Sequence, residues 1–410
     1  MCSAPLAFAQ PRRTLEYSVE EDVIVLKGEL RHGELVILFV RQTAIAKRGV
    51  RSGFLRAMGN CPRPGSGRLK PCRCMLDVRF HKGVEIPRHG LWLDARTPRP
   101  LSFVSHAHHD HLAAHQEVIL TEGTSALMRA RLGGKRHEHV LPYQLPFDIP
   151  GARLTLLPAG HIQGSAQLYL ESEGGSLLYT GDFKLRPSRS TPPCQGVHAE
   201  TLVMETTFGL PKYQLPPVEE VERAVVEFCR ETLEAKATPV LWVYSLGKAQ
   251  EVVWTLLESG ICPMLHPAAF QMTEIYRTLE PRFPGGYLRW NAENAEGQVL
   301  IMPPGRASQA MLRKVSPRRT AVLTGWALDA ATRFRYRADA AFPWSDHADY
   351  SELLQYVEKV GPKRVLTLHG FAAEFAADLR SRGVEAWAIS EADQLELPLE
   401  MHRVVPGMGL

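Results

Sequence analysis

The chain has 410 residues, 45% of them hydrophobic, 22% charged and 8% aromatic, the balance of an ordinary globular protein of roughly two to three domains. No apolar run approaches the roughly 18 residues of a membrane span; the longest clear stretch, Leu35 to Val40, is strand-sized. Seven cysteines, odd in number and scattered, exclude a disulfide-stapled miniprotein and suit a reducing cytoplasm. The opening residues lack the charged-then-apolar pattern of a secretory leader.

Basic residues outnumber acidic ones 48 to 44, a formal net charge of +4. Residues 1–74 alone hold 13 of the basic and 6 of the acidic residues, so the remainder is slightly acidic. A basic segment of this kind is a solvated tail more often than a nucleic-acid contact. Pro and Gly cluster from Cys61 to Gly67. Cys61, Cys72 and Cys74 lack the C-x2-C spacing of a zinc knuckle. The expectation for 1–74 is a weakly ordered extension without a functional role, or a leader ahead of a true start at Met75.

From Met75 onward, short apolar runs alternate with helical patterns. Strands are expected at 101–105, 118–121, 154–158, 167–170, 177–180 and 202–205, then at 240–244, 299–302, 321–324 and 365–368. Helices are expected at 217–234, where Pro217 opens a run with Val221, Val225 and Phe228 at helical spacing, and at 249–258, 350–360 and 372–382. Strands alternating with helices indicate an α/β layered architecture.

The chemistry concentrates at strand ends. Ser105-His106-Ala107-His108-His109-Asp110-His111 follows directly on an apolar strand, the edge at which α/β folds place ligand sites. Four imidazoles and a carboxylate in six residues bring metal-ligating nitrogens and an oxygen to one point. His161 ends a second strand between Gly160 and Gly164, and Asp182 ends a third after Gly181. Three histidines and an aspartate are enough for one metal, and two sets sharing a carboxylate are enough for two.

This ordered series resembles the metallo-β-lactamase superfamily, whose hallmark is H-x-H-x-D-H followed by a distant His and then an Asp. His106, His108, Asp110 and His111 match the hallmark, His161 and Asp182 take the later positions, and Asp94 after Leu91-Trp92-Leu93 is similar to the upstream aspartate that orients a ligand. Glu205, His347 within Ser345-Asp346-His347-Ala348-Asp349, and His369 within Leu368-His369-Gly370 resemble motifs A, B and C of the β-CASP nucleases. Tyr244-Ser245-Leu246-Gly247-Lys248-Ala249-Gln250-Glu251 is similar to a strand-to-helix element of their cap. The resemblance spans about 76–395.

It implies a four-layer αββα metallo-β-lactamase fold with an inserted β-CASP cap domain, divided as 75–208, a cap at 209–330, and 331–410. It also implies a two-metal phosphodiesterase, with zinc favoured by the nitrogen-rich ligands and manganese as the alternative. One ion falls to His106, His108 and His161, the other to Asp110, His111 and His369, with Asp182 between them. A metal-bridging hydroxide would attack phosphorus, with Asp110 counted among the catalytic residues. Glu205 would hold the ring of His347 in its protonated form, a general acid for the leaving oxygen.

Lys248 and Ser345 are expected at the substrate, although an exposed, salt-bridging Lys248 is an equal reading. Arg333, Arg335 and Arg337 alternate like one face of a strand, a solvated face before a backbone contact. His369 leans toward RNA, because the Artemis-like DNA branch lacks that histidine. The motif wording is nonetheless closest to the bacterial ligase-associated DNA exonuclease group, which keeps it. A cytoplasmic DNA exonuclease working beside a DNA ligase or helicase, without membrane contact, is the favoured reading. An RNA-processing nuclease of the mRNA 3′-end type is the alternative, and a glyoxalase II-like thioester hydrolase or a metal-free scaffold is more remote.

Overall fold

A computed structural model describes residues 75–389 without interruption and, ahead of them, three strands. These are β1 (Glu16–Glu20), β2 (Val23–Leu30) and β3 (Gly33–Val40), paired antiparallel in sequence order. They belong to a unit of their own, residues 1–71, in a stretch to which the sequence reading assigned no element beyond the strand-sized run now found in β3. The Pro/Gly cluster with Cys61, Cys72 and Cys74 lies outside the described residues.

The second unit holds three sheets. The first comprises β4 (Arg79–Phe80), β5 (Val84–Ile86), β6 (Leu91–Leu93), β7 (Leu101–Phe103), β8 (Glu117–Leu120) and, after helix α1 (Glu122–Arg131), β9 (His137–Val140). It is antiparallel up to β6 and parallel from β6 to β9. The second sheet begins with β10 (Pro146–Ile149), β11 (Ala152–Pro158), β12 (Ala166–Ser172), β13 (Gly175–Tyr179) and β14 (Thr201–Glu205).

The chain then leaves to build a third, wholly parallel sheet. In chain order it contains α2 (Val218–Glu234), β15 (Thr238–Trp242), α3 (Lys248–Glu258), β16 (Pro263–Leu265), α4 (Pro267–Leu279), β17 (Leu288–Arg289), β18 (Val299–Met302), α5 (Arg306–Met311), β19 (Arg318–Leu323), α6 (Ala331–Tyr336) and β20 (Ala340–Phe342). After α7 (Tyr350–Val360) it returns through β21 (Arg364–Leu368), α8 (Ala372–Ser381) and β22 (Ala386–Ala388), which complete the second sheet beside β14. Because β20 pairs with β19, the third sheet runs to Phe342.

Strand periodicity decides which side chains meet. In β12, Leu168 and Leu170 join a cluster with Ile86, Leu93 and Phe103 of the first sheet, while Tyr169 between them packs on the opposite face. That opposite face carries Leu353 and Val357 of α7 with Phe375 and Leu379 of α8. On the far side of the first sheet, Val118 and Leu120 pack on Met128 of α1.

Helix ends follow from local chemistry. Asp349 accepts from the Glu352 N–H at 3.0 Å to cap α7, Glu352 reaches back to the Asp349 N–H, and Gly361 ends the helix left-handed at φ 58°. The arginines at 333, 335 and 337 are not on a strand as their spacing suggested; Arg333 and Arg335 are in α6 and Arg337 ends it. At about 100° per residue, Arg335 faces away from Arg333. No described helix is long and apolar enough to cross a membrane.

Candidate active site

Five strand ends deliver most of the side chains singled out in the sequence, Asp94 following β6 and His347 preceding α7. β7 runs into Ser105 and the histidine loop, where His109–His111 make a single 3-10 turn. β11 leads to His161, β13 to Asp182, β14 ends in Glu205 and β21 leads to His369. Close approach of two of these loops requires glycine: a Cβ on Gly181, at φ +54°, would sit 2.6 Å from that of Ser105.

The ligand atoms of His106, His108, His161 and Asp182 lie within 4.8 Å of one another. His106 Nε2 is 3.0 Å from His108 Nδ1, which is 3.2 Å from His161 Nε2. The partners on the far side of each ring identify which nitrogen carries the proton. His108 Nε2 faces the Leu246 carbonyl at 3.1 Å and His161 Nδ1 the Asp346 carbonyl at 2.7 Å. A carbonyl only accepts, so both nitrogens donate. Ser105 Oγ gives its one proton to Asp94 Oδ2 at 2.6 Å and therefore accepts from His106 Nδ1 at 2.9 Å.

Three lone pairs are thereby aimed at one another with no proton between them. Burial keeps the rings neutral: it pushes His161 down to about 3, lowers His108, and with the charge of His111 holds His106 well below the ordinary imidazole range. A cation resolves the conflict. Around a zinc ion with Zn–N of about 2.0–2.1 Å, tetrahedral ligands stand about 3.3–3.4 Å apart, close to the spacing found. The donor set fits a borderline transition ion.

His111 and Asp182 extend this centre. His111 Nε2 is 3.4 Å from Asp182 Oδ2 and 3.7 Å from Asp110 Oδ2, while its Nδ1 donates to Asp94 at 2.9 Å. Burial opposes protonation of His111, but the charges of Asp182 and Asp94 raise it well above the ordinary value. Burial would raise the Asp182 carboxyl, yet His111, His106 and His347 hold it well below the usual carboxylate range. Asp94 accepts from the Ser105 N–H and hydroxyl, from His111 and from the Tyr179 hydroxyl at 2.8 Å. It does so from a left-handed backbone, φ +48°, the kind of strain that concentrates at functional sites.

His369 shares that strain at φ +62°. Its ring centroid is 6.0 Å from that of His111, and its Nδ1 is 3.4 Å from an Arg96 guanidinium nitrogen. Neither His369, His111 nor Asp110 belongs to a described group of three ligands within 4.8 Å.

A second pair lies against the first cluster. His347 Nδ1 is 2.9 Å from Glu205 Oε1 and 4.0 Å from Asp182 Oδ2. Glu205, 1% exposed, also accepts from the Phe183 N–H at 3.0 Å and the Thr207 hydroxyl at 2.5 Å. Burial disfavours the His347 cation, but the charges of Glu205 and Asp182 outweigh it and bring the ring up to about 9. The His347 side chain keeps 22% of its surface exposed, so its second nitrogen remains reachable.

Both residues expected at the substrate are buried. Lys248 Nζ is 2.9 Å from Asp346 Oδ1, an ion pair that is buried and not the exposed one the alternative reading expected, and that carboxyl is held far below its usual range. Ser345 Oγ accepts from the His347 N–H at 3.0 Å. Sequence reasoning passed over Ser105, Tyr179, Thr207, Arg96 and Asp346. Adjacency to His106 and His347 was the available signal for Ser105 and Asp346.

The loop carrying His161 is braced by Thr121 and Thr124, whose hydroxyls donate to the Gly164 carbonyl at 2.5 and 2.8 Å. A Cβ on Gly164, at φ +79°, would come within 2.3 Å of the Thr124 nitrogen. Gly164→Ala is expected to destabilise the protein by at least ~1–2 kcal/mol and to lower its uptake of divalent metal, read by thermal melting and by elemental analysis.

No protein-family model matches the chain. It is similar to a protein named probable DNA ligase from Opitutus terrae, at 53% identity over 78% of this chain and 32% of that protein. It is also similar to an RNase J-like protein of Methanocaldococcus jannaschii, at 25% identity over 52% of this chain and 62% of that one. A third relative is the 5′ exonuclease Apollo of Mus musculus, at 25% over 70% and 54%. The chain thus spans about a third of the first relative and less than two thirds of the others.

Proposed function

Because this chain belongs to the β-CASP group of the metallo-β-lactamase superfamily, we propose that it is a metal-dependent nuclease, a DNA exonuclease of the ligase-associated type. The observation that carries this reading is the contact between two devices: an imidazole–carboxylate cage and, 4.0 Å from its aspartate, a histidine paired with a buried glutamate. A thioester hydrolase has no need of the second.

In this reading the sandwich of the first two sheets is the four-layer catalytic body, and the segment from 209 to Phe342 is the β-CASP cap inserted into it. His106, His108 and His161 would hold one divalent ion, zinc by its nitrogen ligands, and Asp110, His111 and His369 would hold a second, with Asp182 available to both. Such ions supply Lewis acidity toward a phosphoryl oxygen and water activation near neutral pH. The residues of the chain do the rest. Asp94, Ser105, Leu246 and Asp346 orient the rings through their outer nitrogens, the role that supporting hydrogen bonds play at metal sites. Glu205 holds His347 Nδ1–H, and the ring's Nε2–H is turned to the departing oxygen of the cleaved phosphodiester as its proton donor. Lys248 and Ser345 act as positioning residues, through Asp346 and the His347 backbone.

DNA is supported by alignment with part of a ligase-named protein and with a 5′ exonuclease, and a ligase is the partner inferred; the low cysteine content supports a cytoplasmic setting. The RNase J-like relative supports RNA as the second reading. The test offers matched 5′-labelled single- and double-stranded DNA and RNA to zinc-loaded protein. Stepwise shortening of DNA from one end supports the first reading, cleavage of RNA alone the second, and hydrolysis of neither overturns both.

The pH profile reports on the pair. With His347 protonated up to about 9, the rate holds through neutral pH and declines as the acid form is lost above that value. Glu205→Gln removes the largest charge favouring the protonated ring, so the decline moves down toward the ordinary imidazole range, about 6.5.

A further inference from the structure

Away from this centre, three side chains converge at the edge of the first sheet. His137 and His139 alternate along β9 and therefore project from one face, and Glu117 of β8 stands in register opposite His137. Their ligand atoms lie within 4.8 Å of one another, His139 Nε2 is 2.9 Å from Glu117 Oε2, and the two imidazole centroids are 4.5 Å apart.

The register is locked from the other side. Glu138, between the two histidines, is bound by the Ser125 hydroxyl at 2.6 Å, Arg129 at 2.7 Å and Arg136 at 3.0 Å. A one-residue slip would exchange the faces, and these three bonds oppose it. Beneath His139 the ring of Phe147, 5.5 Å away, gives the cluster an apolar floor, while His137 and Glu117 stay open to solvent.

We propose that Glu117, His137 and His139 form a second, peripheral metal site that takes a zinc-class divalent ion through two imidazoles and one carboxylate. Two nitrogens and one oxygen suit zinc or nickel and not magnesium or calcium, which require oxygen shells. Three protein ligands leave one position to water. The ion ties edge strand β9 to β8 by side chains as well as by the backbone ladder.

The test is zinc stoichiometry on the full chain, stripped with a chelator and dialysed to equilibrium against Zn2+, with metal counted by atomic emission. The His137→Ala/His139→Ala variant is expected to bind one equivalent fewer than the parent at saturation, with an unchanged melting curve in chelator. Glu117→Gln, which keeps both imidazoles, is expected to move that same equivalent to higher zinc concentration and settles the matter should the double variant fold poorly. Equal stoichiometry in parent and double variant, or an unmoved binding curve for Glu117→Gln, overturns the site. A His106→Ala/His108→Ala variant counted in parallel reports on the central cluster separately, so failure of one site is not read as failure of the other.

Discussion

On the proposed mechanism, His347→Ala is expected to lower phosphodiester hydrolysis by about 10²–10⁴-fold, the usual contribution of a positioned proton donor, without loss of metal uptake. The separation follows from geometry: His347 touches the cage through Asp182 at 4.0 Å but is held by Glu205 at 2.9 Å. The loss also depends on the leaving group. A substrate departing as p-nitrophenolate needs no proton at neutral pH and should be cut by the variant almost as fast as by the parent, whereas DNA should not. If both substrates slow equally, His347 acts by shaping the cage and the proton-donor role fails.

Asp182→Asn is expected to be more damaging, because Asp182 is the only carboxylate in the central group and faces His106, His111, His161 and His347 together. Loss of this carboxylate removes the one anionic donor of the group, so the expected loss of metal affinity is at least the roughly 10–100-fold that removing a mere supporting partner costs. Competition with a chromophoric chelator measures it. A variant that keeps parental affinity would show that the imidazoles alone hold the ion. Loss of the carboxylate also removes support for the His347 cation, so any remaining rate should decline at lower pH than in the parent.

Apart from the alternating arginines at 333–337, which lie in and at the end of α6, each strand and helix read from the sequence has a counterpart in the structure, since buried parallel strands appear as short unbroken apolar runs and α7 as an apolar stripe with a capping box. The elements that escaped notice lack those marks. In α1, Gly123, Thr124 and Ser125 are poor helix formers, and only Thr121, which accepts from the Thr124 N–H, marks its start. In α4, a histidine takes the capping position usually held by Ser or Asp. The short β16, β17 and β20 owe their pairing to neighbours distant in sequence. The ligand candidates were legible because each follows a strand and carries a side chain suited to a metal. Two of the groups that orient them are the backbone carbonyls of Leu246 and Asp346, and a carbonyl leaves no trace in residue type. Tyr179 reads as one more apolar strand residue, although its hydroxyl serves Asp94.

The Leu246 carbonyl has a wider meaning. It stands at the head of α3, on the block built around the third sheet, yet it fixes the tautomer of a ring rooted in the first sheet. Gly247 beside it has no room for a methyl against Ile162. That block is therefore latched to the cage and is not a lid free to swing. Opening at this seam would free the outer nitrogen of His108 from its acceptor, so motion of the block and the geometry of the cage are one problem.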